Sequence, residues 1–356
     1  MNVKLPQWLA NERVRKVLRL LAYPAFYVFA FMLFAYLCFP HDRVRDRLVA
    51  DFNARQTGDK PLHLDIDETS WYWFSGIEAE GVRLTSPAPA AGEDGKPAKP
   101  KVVTLDSVHV RASLLRLLFG TVRLAFGADA FGGKVSGVTS DADDARSIEV
   151  ELDEVSIADL PILGEAVGLP MTGVLSGNID LKLPEGKLAH AEGKIDLKIT
   201  GITVGDGKAK IRDTIALPKL DAGELVFEAE ATNGRLKVNK LTAKGPDLEL
   251  VADGAIRLRD PLDASIAELS LRFKFAEAYT NRNDMTRGLF GTPGSKVPGV
   301  FDLDPKISAA KRSDGFYGWR LSGPLAHLTF QPAPMAGGGA APAGTAPMRG
   351  FSPRGF

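Results

Sequence analysis

The sequence predicts a mainly β fold: one N-terminal transmembrane helix, then an extended, curled antiparallel β-sheet with one or two short capping helices. Three observations carry this expectation. Leu20 to Pro40 holds no charged residue. Beyond it, apolar and polar residues alternate with the period of a half-buried strand. The alternating runs are separated by turn signals such as Asn233-Gly234 rather than by long helix-period stretches.

Composition bounds the function before any motif is considered. The 356 residues suffice for one large β domain or two ordinary ones. Lys and Arg together number 44, as do Asp and Glu, so the formal net charge is zero. The basic residues are interleaved with acids along the strands. A nucleic-acid partner is therefore not expected, because phosphate binding needs a positive surplus on one face. The single cysteine, Cys38, excludes an intramolecular disulfide and a cysteine-based metal site.

Taken in order, residues 1–19 read as a cytoplasmic N-terminus carrying Lys4, Arg13, Arg15, Lys16 and Arg19 against Glu12. Residues 20–40 read as a signal anchor. Twenty helical residues rise about 30 Å, the depth of a bilayer's hydrocarbon core. Tyr23, Tyr27 and Tyr36 lie toward the ends of the run, and Pro24 in its first turns. The run ends Leu37-Cys38-Phe39-Pro40, without the small residues of a cleavage site, so the anchor is read as uncleaved. Residues 41–330 then form a β-rich domain translocated to the far side of the membrane, and membrane lipid is the first expected partner.

Within that domain, Val44, Leu48, Val49 and Phe52 recur at helical spacing, predicting a short amphipathic helix over Val44–Asn53. Leu62, Leu64 and Ile66 begin the period-two pattern. Trp71-Tyr72-Trp73-Phe74 is read as an aromatic plug at a sheet end, with contact to headgroups or a partner as the alternative. Ser86–Lys101 is an exposed loop rich in Pro, Ala and Gly. Strands follow at Val102–Val110, Thr121–Phe126 and Gly133–Thr139, with a helix at Leu114–Leu118 capped by Ser113 and ended by Gly120. Ser156–Val167 is the best helix candidate inside the sheet.

An internal repeat follows. Gly177-Asn-Ile-Asp-Leu-Lys-Leu183 is echoed by Gly193-Lys-Ile-Asp-Leu-Lys-Ile199, and more weakly by Gly254-Ala-Ile-Arg-Leu-Arg259. Pro184-Glu185-Gly186, Asn233-Gly234 and Asp253-Gly254 are the expected turns. Phe275–Phe290 reads as a helix or irregular cap, and Gly315–Phe330 as strand again. Residues 331–356 collapse to Ala, Gly and Pro and are expected to be a disordered tail. Together these predict an antiparallel meander whose aliphatic face is hidden by closure, by stacking, or by curling into a trough.

No catalytic, cofactor-binding or metal residue is expected. The five histidines (His41, His63, His109, His190, His327) are scattered and read as solvent-facing strand residues. Asp141, Asp143 and Asp144 lack the rest of a calcium loop. Gly133-Lys-Val-Ser-Gly137, Gly173-Val-Leu-Ser-Gly177 and Leu321-Ser322-Gly323 place the serine one position late for a nucleophile elbow and read as strand-edge punctuation. No enzyme is expected.

The order of these features resembles a known family. An N-terminal span is followed by Leu105-Asp-Ser-Val-His-Val-Arg-Ala-Ser-Leu-Leu-Arg-Leu-Leu-Phe-Gly120, then the Gly-x-x-Ser-Gly stretches, then Gly318-Trp-Arg-Leu-Ser-Gly-Pro324. This is similar to type II secretion system protein N, in the longer form of delta-proteobacteria and spirochaetes, and to the wider AsmA-like periplasmic proteins. The resemblance covers about Leu20 to Pro332. It implies that the membrane is a bacterial inner membrane, whose lipid is then the first partner, and that the far side holding residues 41–330 is the periplasm. It also implies a non-enzymatic inner-membrane component of the secretion machine, partnered by its other subunits. Through the AsmA-like proteins it implies, as the alternative, a sheet that carries phospholipid acyl chains between membranes. It brings no site residues.

Overall fold

The structure is a computed structural model, and it describes residues 12–56, 62–73, 75–86, 101–142, 144–160, 170–205, 210–211, 215–216, 218–292 and 298–333. In chain order the strands are β1 His63–Asp65, β2 Glu68–Tyr72, β3 Gly76–Ser86, β4 Lys101–Ala112, β5 Val122–Ala130, β6 Gly133–Ala142, β7 Ala145–Ser156, β8 Met171–Pro184 and β9 Glu192–Val204. They continue with β10 Lys210–Ile211, β11 Ile215–Ala216, β12 Leu220–Thr232, β13 Arg235–Lys244, β14 Leu248–Arg257, β15 Ile266–Phe275, β16 Tyr317–Pro324 and β17 Thr329–Pro332. The fold is mainly β, with a large antiparallel sheet and few helices, as the alternation predicts.

The chain divides into two compact units, Met1–Ser70 with Ala79–Val102, and Trp71–Glu78 with Val103–Phe356. In the first, a helix of 26 residues runs Glu12–Leu37, and a second, His41–Arg55, covers the expected Val44–Asn53 and extends beyond it. Among the described residues, no helix is long and apolar enough to cross a membrane. The expected transmembrane span over Leu20–Pro40 is therefore not supported among the described residues, and its helical part belongs to Glu12–Leu37. Asn53 ties the second helix to β1 by exchanging two hydrogen bonds with the Leu64 backbone, at 2.8 and 3.1 Å. Leu62 and Ile66 fall just outside β1, which is shorter than the alternation suggests. Arg83 joins Asp65 and Asp67 at 2.9 and 2.8 Å.

The second unit is a meander. From β4 to β9, and again from β12 to β17, each strand pairs antiparallel with the next, and β9 pairs with β12. The Asn233-Gly234 turn forms as expected: both residues have positive φ, 48° and 70°, and join Thr232 to Arg235. Asp253-Gly254 does not turn. β14 runs straight through it, with Asp253 opposite Ser270 and Gly254 opposite Leu269. The reason is close approach. A Cβ on Gly254 would lie 2.2 Å from the Glu268 carbonyl oxygen, and the residue's φ of +136° suits glycine. The repeat glycines Gly177 and Gly193 share this role, meeting the carbonyls of Asp196 and Asp180. The chain reverses instead at Gly245-Pro246-Asp247.

Other expectations need correction. β7 continues to Ser156, and Ile157–Asp159 is one 3-10 turn, not the start of a helix; residues 161–169 of that candidate lie outside the described residues. The Gly-x-x-Ser-Gly stretches lie at strand starts, as expected: Gly133 opens β6, and Gly173 is the third residue of β8. Gly137 makes room on one face for the Phe126 ring, which an added Cβ would meet at 2.5 Å. The helix Leu114–Leu118 forms, but the Ser113 side chain does not cap it. β17 reaches Pro332, two residues past the expected domain end at 330. Most of the Ser86–Lys101 loop and of the 331–356 tail lies outside the described residues.

Beyond β15 the expected cap is a set of short helices, Glu277–Thr280, Asp284–Phe290, Val300–Leu303 and Pro305–Ala310. Asn283 and Thr286 form a reciprocal capping box that starts the second of these. The rings of Phe273, Phe275, Tyr279, Phe290, Phe301 and Tyr317 pack together, with neighbouring centroids 4.7–6.5 Å apart.

Candidate functional site

Register places the aliphatic residues of the second unit on one face of its sheet. Val110 on β4 opposes Phe126, which opposes Gly137, which opposes Val150, which opposes Ile179. Ile179 opposes Ile195, then Ala229, then Val238 and Gly254. Leu269 and Leu321 extend the row, and Phe330 on β17 ends it. Parallel rows through Leu197, Phe227, Leu241, Ala252, Leu271 and Trp319 show the same chemistry.

This face is covered at two places. At one end of the strands, Leu183, Ala191, Ala229, Ala231, Leu236 and Leu258 form a buried cluster. At the other, Ile202, Leu220, Ala222 and Tyr279 form a second, beneath the helical cap. Between them Ile179, Leu197, Leu241 and Leu271 are only half-buried. Full burial of such a side chain stabilises by about 1.5–3 kcal/mol, so a row of half-buried aliphatics leaves much of that unrealised. The middle of this face thus keeps a run of partly solvent-accessible aliphatic side chains.

The opposite face is mostly polar, with Val138, Val226 and Val251 among its charged and hydroxyl residues. Asp180, Lys194 and Glu230 share one row, and Lys198 meets Glu224 at 2.8 Å while Lys240 meets Glu228 at 3.2 Å. Exposed pairs of this kind contribute about 0–1 kcal/mol each, so they fix register more than they stabilise.

A charged pair lies at the margin of the apolar face. Arg146, in register with Asp141 and with Leu183, holds Asp141 at 2.8 and 3.3 Å where the face ends. This hydrogen bonding keeps the Asp141 carboxyl below the usual range and raises the Arg146 guanidinium. The pair borders an open hollow of about 580 Å³ lined by Gly120, Asp144, Glu185 and Gly186. In the sequence Asp141, Asp143 and Asp144 read as a solvated acidic loop. Arg146, five residues further on, was the signal that one member is held in place; Asp143 lies outside the described residues.

The histidines are not brought together, and most are not on strands. His41 starts a helix, and His190 and His327 lie in 3-10 turns. His63 is in β1, and His109 stacks on Tyr72 with centroids 4.2 Å apart, over Gly127. Among the described residues no group of His, Cys, Asp or Glu is placed to hold a metal ion. Ser176 accepts a bond from the Glu154 amide and Ser322 faces Thr329, so each serine serves the backbone or a neighbouring hydroxyl. Trp73, expected in an aromatic plug, is instead exposed, with φ of +55°, and Phe74 lies outside the described residues. The arrangement offers an apolar surface with a charged margin. Compared with family models, curated proteins and solved structures, the chain matches none.

Proposed function

We propose that this protein is a membrane-anchored, non-enzymatic binder of acyl chains, held at the bacterial inner membrane, with the apolar face of its periplasmic sheet as the binding surface. The observation that carries the reading is the apolar row from Val110 to Phe330, aliphatic and aromatic side chains interrupted by Gly137 and Gly254, with Val150, Ile179 and Ile195 half-buried and Val110 and Phe330 exposed. An acyl chain laid along it removes apolar surface from water, each buried CH₂ contributing about 0.8 kcal/mol. Curling of the sheet around such a chain is part of the proposal.

Support for the anchor comes from the first helix. Phe26, Tyr27, Val28 and Phe29 are consecutive, hence on all sides of it, and all are exposed. A helix that is apolar all round needs a nonpolar surrounding, and the described residues do not supply one. The uncharged stretch Leu20–Leu37 is unbroken in the sequence, with Met32 and Ala35 completing it, and rises about 27 Å.

The test is photo-crosslinking in intact cells, with a photoreactive residue at Leu197 or Leu241 on the apolar face and at Lys194 on the polar face. Phospholipid adducts at the first two positions and not at the third are expected. Equal labelling of both faces, or none, would sink the reading.

The second reading is a component of the type II secretion system, supported by the sequence order described above: span, Leu105–Gly120, and Gly318–Pro324. It is tested by the extracellular proteome of a deletion strain. Exported enzymes retained in the periplasm are its expected result, and unchanged export counts against it.

A further inference from the structure

Two loop tips of the second unit meet at one end of its sheet. The Ala112 amide donates to the Ser75 carbonyl at 3.1 Å, and the Ser75 hydroxyl donates to the Ala112 carbonyl at 2.7 Å. One tip carries Trp73; the other is the helix Leu114–Leu118 with Phe119. Trp73, Leu114, Leu117 and Phe119 are all exposed, Phe119 at 83%. Arg111 and Arg116 are exposed beside them, and Arg123 follows on β5. Between Asp106 and Asp129 the sequence holds no acidic residue, nor is there one from Trp71 to Ile77. The nearest carboxylates line the hollow beside Gly120: Asp141 is engaged by Arg146, Glu185 by Lys187, and Asp144 lies with them.

From this juxtaposition we infer that the Trp73 and Leu114–Phe119 tips form a second membrane contact, dipping into an anionic bilayer surface. The chemistry commits to lipid. Exposed Trp, Leu and Phe ringed by arginine suit the headgroup layer, where the aromatic body is buried and guanidinium meets phosphate. Four apolar side chains are far fewer than the roughly 20–30 residues a side of a stable protein interface, whereas insertion of a few side chains suffices at a membrane. The bilayer is the one that takes the Leu20–Leu37 helix, because tethering raises the effective concentration of that surface above any other. In this the inference rests on the anchor proposed above.

The experiment uses the full chain with Cys38→Ser and Phe119→Cys, labelled with an environment-sensitive fluorophore. Leu117→Cys serves as a second label position and Ser136→Cys, on the polar face, as the reference. Each is reconstituted into vesicles of phosphatidylcholine, or of equal parts phosphatidylcholine and phosphatidylglycerol, with nitroxide-labelled acyl chains as quencher. Labels at 119 and 117 are expected to shift to the blue and be quenched, more strongly with phosphatidylglycerol, while the label at 136 stays in water. Replacing Arg111, Arg116 and Arg123 by Gln is expected to remove the phosphatidylglycerol dependence. If the labels at 119 and 117 stay as wet as that at 136 in protein that resists alkaline carbonate extraction, the contact is overturned and the anchor stands. If carbonate strips the protein away, the anchor reading fails and the contact with it. Equal quenching in the two lipids overturns the role given to the arginines.

Discussion

Asp247 is only 2% exposed, yet no apolar residue could replace it. Its carboxylate accepts from the Asp221 amide at 2.8 Å and from the Arg282 guanidinium, and Arg282 lies over the Tyr279 ring at 5.0 Å. The Tyr279 hydroxyl in turn donates to the Pro218 carbonyl at 2.8 Å. Asp247→Ala leaves a buried amide unsatisfied and is expected to cost about 1–3 kcal/mol in urea unfolding. Burial pushes the hydroxyls of both Tyr279 and Tyr317 up to about 12. A raised tyrosine pKa favours the neutral folded form, so its contribution is complete below pH 10 and lost as pH rises from about 10 to 12. Alkaline titration followed by circular dichroism should show this loss, reduced in Tyr279→Phe. Gly254→Ala would press a Cβ against the Glu268 carbonyl and is expected to destabilise by about 1–3 kcal/mol, whereas a true turn glycine at that site would not touch β15. This contrast shows why the residue scale was only partly legible. Asn-Gly and Asp-Gly carry the same local signal, and only the approach of the next strand distinguishes a turn from a close contact. Asp247 gave no signal at all, because its partners lie 26 and 35 residues away.

At the scale of elements, alternation identified the strands because each has one face against aliphatic neighbours and one in water. It failed where the element is short or decided by its surroundings. Ser156–Val167 carries a helix-like stripe, yet β7 pairs with β8 through Val155 and Ser156 and claims its first residue. The capping helices were foreseen only as an irregular stretch, since four to seven residues hold little periodicity. Such short helices depend on their ends. Asn283→Ala removes the capping box of Asp284–Phe290 and is expected to cost about 1 kcal/mol, read as faster amide exchange at Thr286 and Arg287. A Thr286→Ala variant should behave alike, since Thr286 completes the box and is itself buried.

For the molecule as a whole, the informative property is the separation of the sheet into an aliphatic and a charged face. It was legible from the sequence, because the repeat puts Ile179 and Leu181, and Ile195 and Leu197, at the same parity. Which rows would be buried was not, since that depends on the caps and on Leu188–His190 at the strand ends. A protein with this surface should bind an apolar dye while fully folded. Placing carboxylates in the open middle, with Leu241→Asp and Leu271→Asp together, is expected to abolish dye and lipid binding. The β signal in circular dichroism should persist, because the two end clusters remain; loss of that signal instead would show that the middle is needed for folding. The strand order has a further consequence. Because almost every strand finds its partner in the next one along the chain, no pairing waits for a distant segment to be made. The sheet can therefore be assembled hairpin by hairpin behind an emerging polypeptide, each new strand closing the open edge left by the last, and the growing edge is the only part that needs protection from other chains.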